Sequence, residues 1–264
     1  MARKLKGSEA NLFTDRQLAR RGGLTNELLK ATFKEVSDWG PYEPTETGMP
    51  NWDTLLAGDR LTAVIDIRVS TYGSELEWRQ QCNDDGCRKS FAAEIDLTED
   101  LVRKTLSAED MSVFQSGNRF SLTVDDDEGE RKVVYHLMTG ADEKRLVKVV
   151  ENIGGDRVTA SLAQRIDEVS GVHKNDVIKW LNNLDLDALQ YMVEEMDSHD
   201  CGVDTSIDLI CPHCGNYMEL EVPLGGREFF LPKTKKRPPV KSSSSSTHSS
   251  KRRTSKRSTS PSAG

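Results

Sequence analysis

The chain lacks any apolar run approaching the ~18 residues from which a membrane span is built. Its opening, MARKLKGSEANLF, has none of the apolar stretch of a secretory signal. The expectation is a protein that stays in the cytosol. Cysteine is scarce and odd in number: there are five, four of them in two closely spaced pairs. That does not look like a disulfide framework, and metal binding is the better default in a reducing compartment. Also missing are a glycine-rich phosphate loop, a nucleophile elbow, an HExxH helix and paired carboxylates in a recognisable setting, so no residue pattern points to catalysis. Acidic residues are absent from one region only. Lys233–Gly264 holds 10 Lys/Arg and no Asp/Glu, which leaves 26 basic against 43 acidic residues, a net of −17, in the rest of the 264-residue chain.

That basic end, KSSSSSTHSSKRRTSKRSTSPSAG, has almost nothing apolar to bury against the entropy of ordering its backbone, and is expected to be disordered. It is open to two readings: a solubilising or phosphorylatable tail, or a contact for phosphate or an acidic protein surface. The domain plan that follows is an N-terminal helix and linker over 1–50, a folded domain over 51–232 and the tail over 233–264.

Periodicity fills in the folded part. Leu24, Leu28, Leu29, Phe33 and Val36 predict a short helix, and Gly40 to Pro50 a loop. Leu61, Val64, Ile65 and Val69 predict a core helix capped by Asp59 at its start and Gly73 at its end. RFSLTV and KVVYHLM flank an acidic hairpin tip, Asp125 to Glu128, and Thr139 with Asp142 resembles a capping box. Three further helices are expected, on Val158, Leu162, Ile166 and Val169, on Val177, Ile178, Leu181 and Leu184, and on Leu186, Leu189, Val193 and Met196 behind Asp185, making a helical bundle over about 142–200. Trp52, Trp78 and Trp180 read as core.

The cysteines sit in matching settings. LEWRQQ, CNDDGC and FAAEIDL read as strand, knuckle, strand, and so do SIDLI, CPHC and NYMELEV. A structural zinc takes four tetrahedral ligands, and a zinc ribbon supplies them from two such hairpin tips, so Cys82, Cys87, Cys211 and Cys214 are the candidate ligands of one Zn2+. A redox reading of Cys211 and Cys214 needs a helix after the first thiol, where this chain alternates as a strand. His213 is the alternative ligand within the turn, and Cys201 fits no pair. The fold class expected is α+β: one split zinc ribbon with a helical insertion. Phe229 and Phe230, beside Pro232, are either an aromatic partner-binding anchor or a plug of the protein's own core.

Taken in order, NWDTLLAGDRLTAVIDIRVSTYGSELEW, CNDDGCRKSFAAEIDL, YHLMTGADEKRL, the GVDTSIDLICPHCG segment and VPLGGREFFLP resemble the baseplate hub and tail-assembly proteins of T-even-type contractile-tail bacteriophages. The resemblance runs from about Asn51 to Pro232. It implies a non-enzymatic hub subunit or assembly factor whose partners are other baseplate hub or tail proteins, found in the cytoplasm of the infected host or in the virion tail. The competing expectation is a zinc-ribbon nucleic-acid binder using the basic tail. The acidic strands SFAAEIDL and MELEVPL would repel phosphate from such a ribbon.

Overall fold

In the computed structural model, residues 2–34, 38–153, 157–224 and 229–230 are described. The expectations for Val36 and for the basic tail lie outside them. The chain opens with a 3-10 segment, Gly7–Thr14, then α1 (Arg16–Arg20) and α2 (Leu24–Thr32). Asp15 starts α1 by accepting from the amides of Gln17 and Leu18. The loop through Gly40 and Gly48 leads to α3 (Ala57–Tyr72), which Gly73 ends at φ 93°, its N–H donating to Val69 O at 2.9 Å.

The start of α3 differs from expectation. Its N-cap is Leu56, not Asp59, because the chain enters the helix from an antiparallel bridge between Leu56 and Thr139. The first orphan amide, that of Ala57, is taken by Met138 O at 2.8 Å, so no capping side chain is needed. Asp59 instead lies in the first turn, where its charge suits the helix dipole, and accepts from the Tyr42 hydroxyl.

Next come β1 (Glu75–Gln81) and β2 (Ser90–Asp96), an antiparallel hairpin, then β3 (Arg103–Lys104) and α4 (Ala108–Gln115). β4 (Phe120–Asp126) and β5 (Gly129–Tyr135) form the second hairpin, and β4 buries alternate residues Phe120, Leu122 and Val124. Asp126, in the acidic tip, accepts from Arg131 Nε and Trp180 Nε1, each at 2.9 Å. α5 (Gly140–Ile153) follows, with half of the expected capping box in place: Asp142 accepts from Thr139 N–H at 2.9 Å.

α6 (Arg157–Arg165) then passes straight into a third strand, β6 (Ile166–Val169), on the free edge of β5. This corrects the expected helix through Val169. Ile166 and Val169 are β-branched and the β5 edge is open, so strand pairing overrides a spacing that suits a helix equally well. α7 (Val177–Asn183) and α8 (Leu186–Ser198) complete the segment, with Asp185 at the α8 N-cap position but making no capping hydrogen bond. Residues 142–200 are therefore not a bundle alone. Leu162, Val177, Leu181, Met192 and Met196 share one core with Phe120, Leu122, Val133 and Tyr135 of the sheet.

The chain returns through β7 (Gly202–Val203), paired with β3, and a last hairpin, β8 (Ser206–Ile210) and β9 (Tyr217–Glu221). A separate core joins α2, α3, β1, β2 and the β8–β9 hairpin through Leu28, Leu29, Ile65, Ile67, Leu76, Ile95 and Ile207. The architecture is mixed α+β with small sheets. Trp52 is buried in this core, while Trp78 and Trp180 pack at the margins of the two cores.

His136 makes one joint pH-dependent. It follows β5 and lies 3.1 Å from Asp167 of β6 and 3.4 Å from Asp142 of α5, which also binds Arg145. The Asp142 hydrogen bond, then the charge of Asp167, raise the imidazole above its usual value against the cost of burial. A raised histidine contributes stability that is fully present below its unfolded value of about 6.5 and lost as pH climbs through the folded value. His136→Gln should therefore cost more stability at pH 6 than at pH 9. Paired urea titrations that give an equal loss at both would refute the coupling.

Candidate metal centre

The two hairpin tips meet. Cys82 Sγ lies 3.6 Å from Cys214 Sγ, and Cys87 Sγ 3.9 Å from Cys211 Sγ, across 132 and 124 positions of sequence. All four sulfurs fall within 4.8 Å of one another, and none is in a disulfide. Such a group could coordinate a metal ion. Cys82 and Cys211 are buried, Cys87 is half-buried and Cys214 is exposed, so one flank faces solvent. Met218 is buried beside them, and Phe91, Leu209 and Leu220 line the same small cluster.

Each tip is built to aim its thiols. In the CPHC turn, Cys211 N–H donates to Asn216 O and Gly215 N–H to Cys211 O, both at 2.9 Å, with Gly215 at φ 76°. The longer CNDDGC tip uses the same closing bond two residues later: Arg88 N–H donates to Asp84 O at 3.0 Å, and Arg88 takes the left-handed conformation at φ 47°. The two extra residues are thus taken up before the turn, and Cys87 occupies the place that Cys214 has in its own knuckle. Asn216 Nδ2 donates to Asn83 Oδ1 at 2.6 Å and ties the tips together.

The thiols of the cluster differ in how readily they ionise. Burial pushes the Cys211 thiol up, but the amides of His213 and Cys214 more than offset this and bring it down to about 7. At Cys214 the Asn216 amide pulls downward, yet burial and the neighbouring sulfurs drive the thiol up to about 12. Cys82 is also raised, first by burial. A thiolate at Cys211 disfavours a second negative charge at Cys82 and Cys214, and a dication held by the group would remove that repulsion.

The left-handed Arg88 leads to a test. A non-glycine residue in that conformation costs roughly 1–2 kcal/mol. Its exposed pair with Asp85 contributes little in return. Arg88→Gly should stabilise the protein by about 0.5–1 kcal/mol once the extra freedom of glycine in the unfolded chain is deducted, read from the urea midpoint.

The other candidates lie elsewhere. His213 supplies a backbone amide and is outside the group of ligand atoms, among the described residues. Cys201 lies in the sheet-and-helix core, its thiol raised to about 12 by burial and by Asp59 and Asp200. Phe229 and Phe230 are buried in the first core at 2% and 3% exposure. Phe230 stacks on Phe13 at 4.7 Å, and Arg68 lies 5.9 Å from the Phe229 ring centre, so both rings pack against side chains of this chain. Sequence reasoning passed over α4, although Ser107, three residues before Asp110, was a legible cap: it accepts from the Asp110 amide at 3.0 Å.

Fold and site together define a mixed α+β protein in which two hairpins from distant parts of the chain close on a four-thiol cluster. Residues 42–231 match the family model described as T4 bacteriophage base plate protein, and the chain belongs to that family. Neither a curated protein nor a solved structure matches it. Among the described residues no helix is long and apolar enough to cross a membrane.

Proposed function

We propose that the chain is a component of the central baseplate hub, or a factor that assembles the hub with the tail, working through contacts with other baseplate proteins and holding one structural Zn2+. Membership of the baseplate family over residues 42–231 is the observation that carries this reading. Its place of action is then the cytoplasm of the infected host, and the virion tail where the protein is retained.

Zinc is favoured by the donor set and its spacing. A tetrahedral ion with Zn–S bonds of about 2.3 Å separates its sulfurs by about 3.8 Å, and two of the sulfur pairs here lie 3.6 and 3.9 Å apart. Cys82, Cys87, Cys211 and Cys214 would hold the ion, which joins the two hairpins. Four protein ligands leave no open position for substrate or an activated water, which favours a role without catalysis. The nucleic-acid reading gains no support from the ribbon, whose strands carry Glu94, Asp96, Glu219 and Glu221.

Phage in which this chain is interrupted should fail to form a central hub and accumulate no tail tubes, and a plasmid copy should restore them. Complete baseplates and normal tails without the chain would overturn the reading. Native mass spectrometry of the purified chain should give one zinc per chain, released by chelator.

A further inference from the structure

The β8–β9 hairpin carries an outward face that its own fold does not explain. Alternation along the two strands turns Ile207 and Met218 inward and leaves Asp208, Ile210, Tyr217 and Glu219 outside. Ile210 and Tyr217 are cross-strand partners, exposed at 68% and 59%. The next outward pair is Asp208 opposite Glu219, both exposed. Like charges set directly opposite one another destabilise a two-stranded ladder, whereas the Ile210–Tyr217 pair supports it yet leaves most of its apolar surface in water. The charged pair thus works against the hairpin in isolation, and the apolar pair beside it remains largely uncovered.

No positive side chain of the segment relieves the repulsion. Gly202 to Leu224 contains four Asp/Glu and no Lys or Arg. The Tyr217 hydroxyl donates to Asp208, which fixes the ring beside the carboxylates. The hairpin is also held rigidly, with Ile207 and Val222 in the first core at one end and Cys211 and Met218 in the cysteine cluster at the other. A fixed apolar pair next to two carboxylates that have no ion-pair partner among the described residues has the composition of an interface centre with a charged rim.

We infer that this face is a docking surface for a basic polypeptide segment of another protein, one that sets an apolar side chain on Ile210 and Tyr217 and a Lys or Arg between Asp208 and Glu219. Charge complementarity selects the occupant. A cation there neutralises both carboxylates and can lie on the Tyr217 ring, whereas a nucleic-acid phosphate meets only negative charge. The inference rests on the reading of this chain as a protein that works through protein contacts, and names the chemistry of one such partner.

The test uses the full chain and three fluorescein-labelled synthetic peptides: leucines flanked by lysines, the same leucines flanked by glutamates, and the lysines with glycines replacing the leucines. Fluorescence anisotropy should give saturable binding of the first peptide alone. Asp208→Lys with Glu219→Lys should weaken it by about tenfold or more and admit the glutamate peptide. Ile210→Ser with Tyr217→Ser should weaken it similarly, with thermal melts of both variants close to those of the parent. Equal binding of the glycine peptide, no saturable binding, or indifference to the charge reversal would each overturn the proposal. So would a concentration-dependent dimer in sedimentation that Ile210→Ser with Tyr217→Ser abolishes, since a second copy would then cover the face. A chain that fails these tests yet restores tails to the interrupted phage sinks this inference and leaves the hub reading standing. If tails form without the chain, the hub reading fails whatever the peptides do.

Discussion

Cys214→Ser, or a chelator acting on the proposed zinc, should destabilise the body of the protein rather than one finger. The sulfurs that meet in the cluster are 124 and 132 positions apart, and β4 to β6 and α4 to α8 all lie inside the loop they close. In the chain-entropy model, cross-linking a loop of ~100 residues contributes about 4–5 kcal/mol. Domains of ordinary stability have only about 5–15 kcal/mol in total, so losing this closure removes roughly a quarter of it or more. Serine also leaves three thiols facing each other with an incomplete ligand set. Cys201→Ser is the matched control: that thiol is half-buried in the other core, far from needing an ion, and should cost on the order of 1 kcal/mol. Thermal melts followed by circular dichroism separate the cases. Equally mild losses for the two serine variants would mean that the four sulfurs do not share an ion.

What could be read from the sequence followed from how local each signal is. The two strand-knuckle-strand units were legible because alternation and a cysteine turn sit within about twenty residues, and the end of α3 because only glycine takes φ 93° without strain. Local spacing failed where tertiary pairing decides. Ile166 and Val169 fit a helical stripe, yet the open edge of β5 makes them a strand. Asp59 looks like a cap, yet a bridge to Thr139 fixes the start of the helix. The site was only half legible: the four cysteines stand out by their pairs, but the closeness of the pairs depends on how the whole domain folds. The left-handed turn at Arg88 left no glycine to mark it. Phe229 and Phe230 suit both an interface and a core, and only the positions of Phe13 and Arg68 decide where the rings lie.

Gly58→Ala sets a local rule against a tertiary contact, and the two predict opposite signs. By helix propensity, alanine in place of glycine inside α3 should stabilise by up to about 1 kcal/mol. The fold says otherwise. A Cβ built on Gly58 would lie 1.9 Å from Cys201 O, 2.5 Å from Cys201 C and 2.8 Å from Gly202 Cα. These are backbone atoms, and they cannot retreat without pulling β7 from β3, where Lys104 pairs with Gly202. Gly202 is equally constrained: it has φ +132°, and its own Cβ would come within 2.7 Å of Gly58 Cα. Two glycines thus allow the first turn of α3 to touch the strand that leads into the second cysteine hairpin. Overpacking of this kind costs typically 1–3 kcal/mol and more when backbone must move, so Gly58→Ala should destabilise by roughly 3 kcal/mol, three times the propensity gain and opposite in sign. Gly7→Ala, with nothing within 4 Å of its Cβ, should stay close to the parent. Urea denaturation of both variants decides between the two rules. A Gly58→Ala protein as stable as its parent would mean that α3 and β7 stand further apart in solution, and that the cysteine hairpin is positioned without this contact.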